Sequence, residues 1–241
     1  MKTLIPLNTV SKDYEGILSA FVKQISEAEK DNLVSIFLTG SFARGEATES
    51  SDLDIWCIFK ELNTEILSKA GNISRNLPIS YNQLEVNSQC LTINEFQSGH
   101  FAKFLAYPII YFEAILLFGT DVADKAVQDE EADSICKEIL AEILLSIRHY
   151  IAVNEPAEKL TFQKIKTRVL NPLMFALRLE RYLHTKQYPL THMDLLNAYT
   201  IPPISILYFN NRGKWDTDIN NDCGKTLYSL HEEVSNMLRP E

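Results

Sequence analysis

The chain has 241 residues, of which 46% are hydrophobic and 23% charged, and these values are ordinary for a folded globular protein. Its formal net charge of −9 at pH 7 argues against a protein that binds nucleic acid over a broad basic surface. The four cysteines contain no CxxC pair, and no segment approaches the roughly 18 apolar residues of a membrane span. The start of the chain lacks the apolar run of a signal peptide, so we expect a cytoplasmic protein without a membrane partner.

The front of the chain mixes helical and strand periodicity. In chain order, the hydrophobic pattern predicts a helix over 12–30, a strand over 33–38, a strand over 53–59, a helix over 64–75 and a strand over 83–93. The first strand runs into Thr39-Gly40-Ser41, where we expect a turn followed by a polar loop over 43–51.

From about residue 97 the pattern becomes helical. An apolar segment over 101–118 predicts a helix that is interrupted at Pro108 and stopped by Gly119. Strongly amphipathic helices are expected over 139–151 and 170–183.

These patterns predict an α+β chain with two units. We expect an N-terminal domain over 1–97, with a small mixed sheet and helices, and an all-α domain over 98–241. Ligand clefts often lie where two such units meet, so the helical domain is expected to form one wall of the cleft.

Two aspartates at the start of the second predicted strand carry the clearest chemistry. Alternate side chains of a strand share a face, so Asp52 and Asp54 point the same way while Leu53 and Ile55 face the core. Mg²⁺ prefers hard oxygen ligands and is usually held by one or two carboxylates together with substrate phosphates. The pair therefore predicts a site for two metal ions that handle a nucleoside triphosphate.

Other residues fit the same chemistry. Glu85, on the third predicted strand, is expected to be a third metal ligand or a general base. Gly40 lets the backbone approach a phosphate, and Ser41 adds a hydroxyl donor. Arg44 is predicted to add a charge-assisted phosphate contact.

The segments 40–45 (GSFARG) and 51–55 (SDLDI) resemble the DNA polymerase β-like nucleotidyltransferase superfamily, whose pattern is a glycine-serine, a gap of about ten residues and an aspartate pair. In layout the chain is similar to the bacterial aminoglycoside adenylyltransferases and their small relatives, in which a catalytic domain precedes a helical one. The Leu84-Glu85-Val86 triplet is similar to the third-carboxylate strand of that family, and the segment 114–119 is similar to a helix end common there.

The resemblance implies a Mg²⁺-dependent enzyme that moves a nucleoside monophosphate, with ATP or another NTP as donor, onto a hydroxyl of a small molecule such as an aminoglycoside-like acceptor. By that resemblance the metal and catalytic residues are Asp52, Asp54 and Glu85, and the nucleotide-binding residues are Gly40, Ser41 and Arg44.

Several alternatives stay open at this point. The acceptor could instead be a protein side chain or a tRNA, although the acidic balance disfavours tRNA, and a non-catalytic nucleotide-binding module could keep the same fold. Lys164 and Arg168 lie one turn apart and could neutralise a triphosphate or form a solvated helix face. A P-loop is not among these alternatives: Gly40 and Gly45 have Walker A spacing, but the interpretation fails because Glu46-Ala47 replaces the required lysine and hydroxyl residue.

Overall fold

The computed structural model describes residues 13–48, 51–77, 85–98, 107–123 and 127–239. The chain divides into two compact units, Met1–Val127 and Gln128–Glu241. The division lies beyond the boundary that we predicted at residue 97, because the segment before Val127 still adds a strand to the sheet of the first unit.

The first unit alternates helices and strands around one small mixed sheet. Its elements are α1 (Asp13–Ala28), β1 (Leu33–Thr39), α2 (Gly40–Arg44), β2 (Leu53–Phe59), α3 (Thr64–Asn76), β3 (Val86–Thr92), α4 (Ile93–Ser98), α5 (Tyr107–Glu113) and β4 (Ile115–Gly119). The sheet order is β3-β2-β1-β4, with β1 antiparallel to both β2 and β4, and β2 parallel to β3. The α+β class predicted from the sequence is confirmed.

Each face of the sheet carries its own core. Helices α1 and α3 cover one face, where Phe21 of α1 and Ala70 of α3 belong to the same buried cluster as Ile55. Helices α4 and α5 cover the opposite face, where Phe96 and Ile110 pack in the cluster that contains strand residues of β1, β2 and β3. Because both faces are covered, the central strands β1 and β2 are almost fully buried.

Two local predictions in this unit were wrong. The segment 115–119 is strand β4 and not a helix end, because it pairs with β1 and a short apolar run fits a strand as well as a helix. The expected loop after Ser41 begins instead as the short helix α2, which ends at Gly45 in the left-handed conformation. The third strand begins at Val86, and the part of its predicted range before residue 85 lies outside the described residues.

The second unit is helical over its described residues, 128–239. Its elements are α6 (Asp129–Ala152), a 3-10 turn (Ala157–Lys159), α7 (Phe162–Ile165), a π-helical segment (Lys166–Leu170), α8 (Asn171–Thr185), α9 (His192–Asn197), α10 (Ile204–Asn210), α11 (Arg212–Asn221) and α12 (Cys223–Met237). Helix α6 buries its apolar stripe, as the sequence predicted, and packs against α8 and α12. Across the described parts of the chain, no helix has the length and apolar character needed to cross a membrane.

Gly119 fixes the end of β4. Its backbone has φ +81°, and a Cβ at this position would lie 1.9 Å from the carbonyl oxygen of Val34. We expect Gly119→Ala to lower the free energy of unfolding by about 3 kcal/mol, because left-handed strain and a backbone collision add together. Chemical denaturation measures this change.

Gly224→Ala is the matched control. Gly224 lies in α12, and a Cβ there would come no nearer than 3.6 Å to a neighbouring atom. Alanine is the better helix former, so this variant should change the free energy of unfolding by less than about 1 kcal/mol, in the stabilising direction. Equal losses in the two variants would contradict the steric explanation.

Candidate active site

The aspartate pair lies at the start of β2, where side chains alternate between the two sheet faces. Leu53 and Ile55 are fully buried on the α1 and α3 face. Asp54, which lies between them in the sequence, is half-buried. Asp52, the residue before the strand, is exposed. This alternation is the one expected from the sequence, and it leaves both carboxylates outside the core that Leu53 and Ile55 enter.

Gly40 and Asp54 are in direct contact. Thr39, the last residue of β1, pairs with Asp54 across the antiparallel ladder, and its hydroxyl donates to the Asp54 carbonyl oxygen at 3.3 Å. The next residue, Gly40, has φ +70°, and a Cβ there would lie 2.3 Å from Asp54 Oδ2. The space that a side chain at residue 40 would need is therefore taken by the Asp54 carboxylate.

The second oxygen of the Asp54 carboxylate contacts β3. Asn87 pairs with Asp54 in the parallel ladder, and Asn87 Nδ2 donates to Asp54 Oδ1 at 3.2 Å. Asp54 thus has a glycine against one oxygen and an amide donor on the other, which restricts the orientation of its carboxylate.

Burial and like charge act on Asp54 together. Burial raises the pKa of Asp54 above its usual value, and the charge of Asp52 raises it further. The hydrogen bond from Asn87 and the charge of Arg44 lower this pKa and offset part of the rise. The pair therefore concentrates negative charge that a cation would relieve.

Glu85 lies beside the pair but outside β3. It is exposed and directly precedes Val86, and its carbonyl oxygen accepts a hydrogen bond from the Leu53 amide at 2.8 Å. Among the residues that the structure describes, no three acidic, histidine or cysteine side chains come close enough together to hold a metal ion. The structure thus brings Asp52 and Asp54 together and leaves the Glu85 carboxylate outside such a cluster.

The donor set fits Mg²⁺. Two neighbouring carboxylates supply hard oxygen ligands, and Mg²⁺ completes its coordination with water and substrate phosphates. The electrostatic effect of Asp52 on Asp54 is what a divalent cation between the two carboxylates would offset.

The Arg44 guanidinium is held by two carboxylates. Its Nε donates to Glu46 Oε2 at 2.9 Å, and its Nη1 donates to Glu113 Oε2 at 2.7 Å. Burial alone would lower the pKa of Arg44, but the carboxylates of Glu113 and Glu46 raise it, so the guanidinium stays charged. The predicted phosphate contact of Arg44 stays a prediction.

Sequence reasoning missed two residues of this site. Asn87 could have been found, because it follows Glu85 by two residues and therefore shares its strand face. Glu113 has no sequence signal of its own, and in the structure it is 4% exposed and paired with Arg44. No local pattern links residues 44 and 113.

The basic pair of the second unit is divided between two elements. Lys164 lies in α7, where its Nζ forms an ion pair with Glu155 at 3.0 Å and lies 5.1 Å from the centre of the Tyr150 ring. Arg168 lies in the π-helical segment and is exposed. The solvated-face interpretation is therefore adequate for Arg168, and Lys164 already has a carboxylate partner.

Comparisons with known proteins agree with this geometry. A family model described as a nucleotidyltransferase domain matches residues 18–166. Two proteins of Methanocaldococcus jannaschii, each named as a candidate protein adenylyltransferase, are 44% identical over 48 residues and 43% identical over 51 residues. These matches span 20% and 21% of this chain, and only 48% and 35% of the relatives' own lengths.

A solved structure extends the likeness to the fold of most of the chain. The crystal structure of a spectinomycin adenyltransferase from Enterococcus faecialis, with ATP and spectinomycin, matches with a TM-score of 0.56 at 15% identity. The match covers 92% of this chain and 99% of that one. The residues that match the family model include Gly40, Ser41 and the aspartate pair, and they make up more than half of the chain. The chain therefore belongs to the polymerase β-like nucleotidyltransferases.

Proposed function

We propose that the protein is a Mg²⁺-dependent enzyme that transfers a nucleoside monophosphate, AMP from ATP, to a hydroxyl of a small molecule. The observation that carries this proposal is the fixed Asp54 carboxylate, which lies against Gly40, accepts from Asn87 and is close to Asp52. A surface aspartate without a role would have no need of a glycine that makes room for its carboxylate.

Each residue has a separate task in the proposed transfer. Asp52 and Asp54 would hold Mg²⁺, which supplies charge neutralisation for the phosphates and lowers the cost of forming the attacking oxyanion. Gly40 would let the backbone approach the triphosphate, and the Ser41 hydroxyl would donate to it.

The acceptor oxygen would form a bond to the α-phosphorus while the bond to the departing pyrophosphate breaks. Glu85 would receive the proton of the acceptor hydroxyl or complete the metal site. Its exposed position, one residue before β3, leaves its side chain accessible to an acceptor.

Two observations point to different acceptors. The fold shared with a spectinomycin adenyltransferase supports a small hydroxyl compound, such as an aminoglycoside-like acceptor. The two archaeal relatives, which carry names for protein adenylyltransferases, support the side chain of a protein as a second candidate. The protein can be incubated with each labelled NTP and Mg²⁺, together with either a panel of amino sugars or a protein extract. Label on a small molecule supports the first acceptor class, and label on a polypeptide supports the second.

The carboxylate pair gives the first test of this proposal. Asp52→Asn and Asp54→Asn should each lower pyrophosphate release at least about 10³-fold, because the loss of a metal ligand costs several kcal/mol of transition-state stabilisation. Asp133→Asn is the control, since Asp133 is an aspartate at the start of α6 whose ion pair with Lys137 lies at the surface. Normal turnover in both site variants would refute the metal assignment, and nucleotide binding without turnover in the wild type would favour the non-catalytic module.

Gly40 gives a second test, with Gly45 as its control. Both glycines have a left-handed backbone conformation, with φ +70° at Gly40 and +75° at Gly45. A Cβ at Gly45, however, would meet nothing within 4 Å. Both alanine variants should therefore carry a similar backbone strain of about 1 kcal/mol. Only Gly40→Ala displaces the Asp54 carboxylate.

We expect Gly40→Ala to weaken the binding of ATP in the presence of Mg²⁺ about tenfold or more, and Gly45→Ala to change it less than about threefold. Titration calorimetry measures both dissociation constants. Equal effects in the two variants would mean that backbone strain matters and the contact with Asp54 does not.

A further inference from the structure

Arg44, Glu46 and Glu113 form a buried ionic cluster next to the candidate site. Their side chains are 14%, 17% and 3% exposed, respectively. One guanidinium faces two carboxylates, so both ion pairs of Arg44 use donors that a phosphate would need. An incoming triphosphate would have to compete with both carboxylates for the Arg44 donors.

The position of the cluster links three elements. Arg44 is the last residue of α2, which begins with Gly40 and Ser41. Glu113 is the last residue of α5, two residues before β4 begins. Because β4 pairs with β1, and β1 runs directly into Gly40, the ion pair closes a ring of contacts around the glycine-serine segment.

The cluster is also costly to open. A buried carboxylate such as that of Glu113 is tolerated when it is paired, and removal of the Arg44 guanidinium would take a charged partner away from it in a poorly solvated place. Arg44 presents a rigid planar fork that can hold two carboxylates at once, which a lysine cannot reproduce.

We propose that Arg44 is a positioning residue that fastens α2 to α5 through Glu113 and so fixes Gly40 and Ser41 against the Asp54 carboxylate. It does not serve as a ligand of the triphosphate. This inference rests on the proposed nucleotide transfer, because the segment that it fixes is the one assigned to phosphate.

The test compares Arg44→Gln, Glu113→Gln and the double variant by their dissociation constants for ATP with Mg²⁺. If Arg44 positions α2 through Glu113, each single change should weaken ATP binding by a similar factor, about tenfold, and the double variant should be no weaker than the worse single one. If Arg44 binds phosphate, Glu113→Gln should leave ATP binding unchanged or tighten it, because the competing carboxylate is gone. That result would overturn the proposal.

A second ion pair in the same unit serves as the control. Lys69 of α3 contacts the largely buried Glu29, the residue after α1, at 2.8 Å. Helices α1 and α3 cover the other face of the sheet. Lys69→Gln and Glu29→Gln should lower the free energy of unfolding without changing ATP affinity per folded molecule. If the Arg44 and Glu113 variants also lose only stability, their ion pair is structural and the positioning role is wrong.

Amide hydrogen exchange separates this inference from the proposed function. Arg44→Gln and Glu113→Gln should both speed exchange over residues 40–46 and leave α12 unchanged. If the wild type binds no nucleoside triphosphate, the proposed function fails, and faster exchange in this segment still supports the link from Arg44 to Glu113. Unchanged exchange in both variants overturns the link itself.

Discussion

The first unit depends on a steric constraint between two residues that are far apart in the sequence. The Asp54 carboxylate occupies the space that a side chain at residue 40 would fill, so a larger residue at position 40 would have to displace this carboxylate or the turn after β1. Thr39, the residue before Gly40, pairs directly with Asp54 in the ladder of β1 and β2. The register of these two strands therefore brings the turn and the carboxylate into contact.

Electrostatics add a second demand at the same place. Asp52 and Asp54 repel each other, and burial makes the charge on Asp54 more costly still. Asn87 and Arg44 offset part of this cost without removing the negative character of the pair. Holding two such carboxylates together therefore costs stability unless a positive charge offsets their repulsion.

Much of this arrangement follows from local patterns. Strand β2 and the orientation of its aspartates could be read from the alternation of Leu53, Asp54 and Ile55, because the two-residue period of a strand is a local property. Helices α3 and α6 were predictable from helical periodicity, which is also a local property, since their buried apolar residues recur at helical spacing. Helix α8 was predicted as amphipathic, but all seven residues over 173–179 are buried, including Arg178.

The parts that the sequence did not predict depend on distant partners. The short apolar run of β4 fits a helix as well as a strand, and its pairing with β1 decides for the strand. The ion pair of Arg44 with Glu113 could not be predicted from the sequence either, because Glu113 lies 69 residues further along the chain. Ionic partners of this kind leave no spacing pattern, whereas turn glycines and alternating carboxylates do.

The parallel pairing of β2 with β3 has a consequence for the order in which the molecule assembles. Parallel neighbouring strands need a long crossover connection, and here the connection from β2 to β3 contains α3. Closing that loop costs chain entropy before the contacts of β3 can offset it. Asp52 and Asp54 can be set by the pairing of β1 and β2 alone, while Glu85 and Asn87 arrive only when β3 docks. A nascent chain that has joined β1 to β2 but not yet β3 thus already has its aspartate pair and still lacks the amide that orients it.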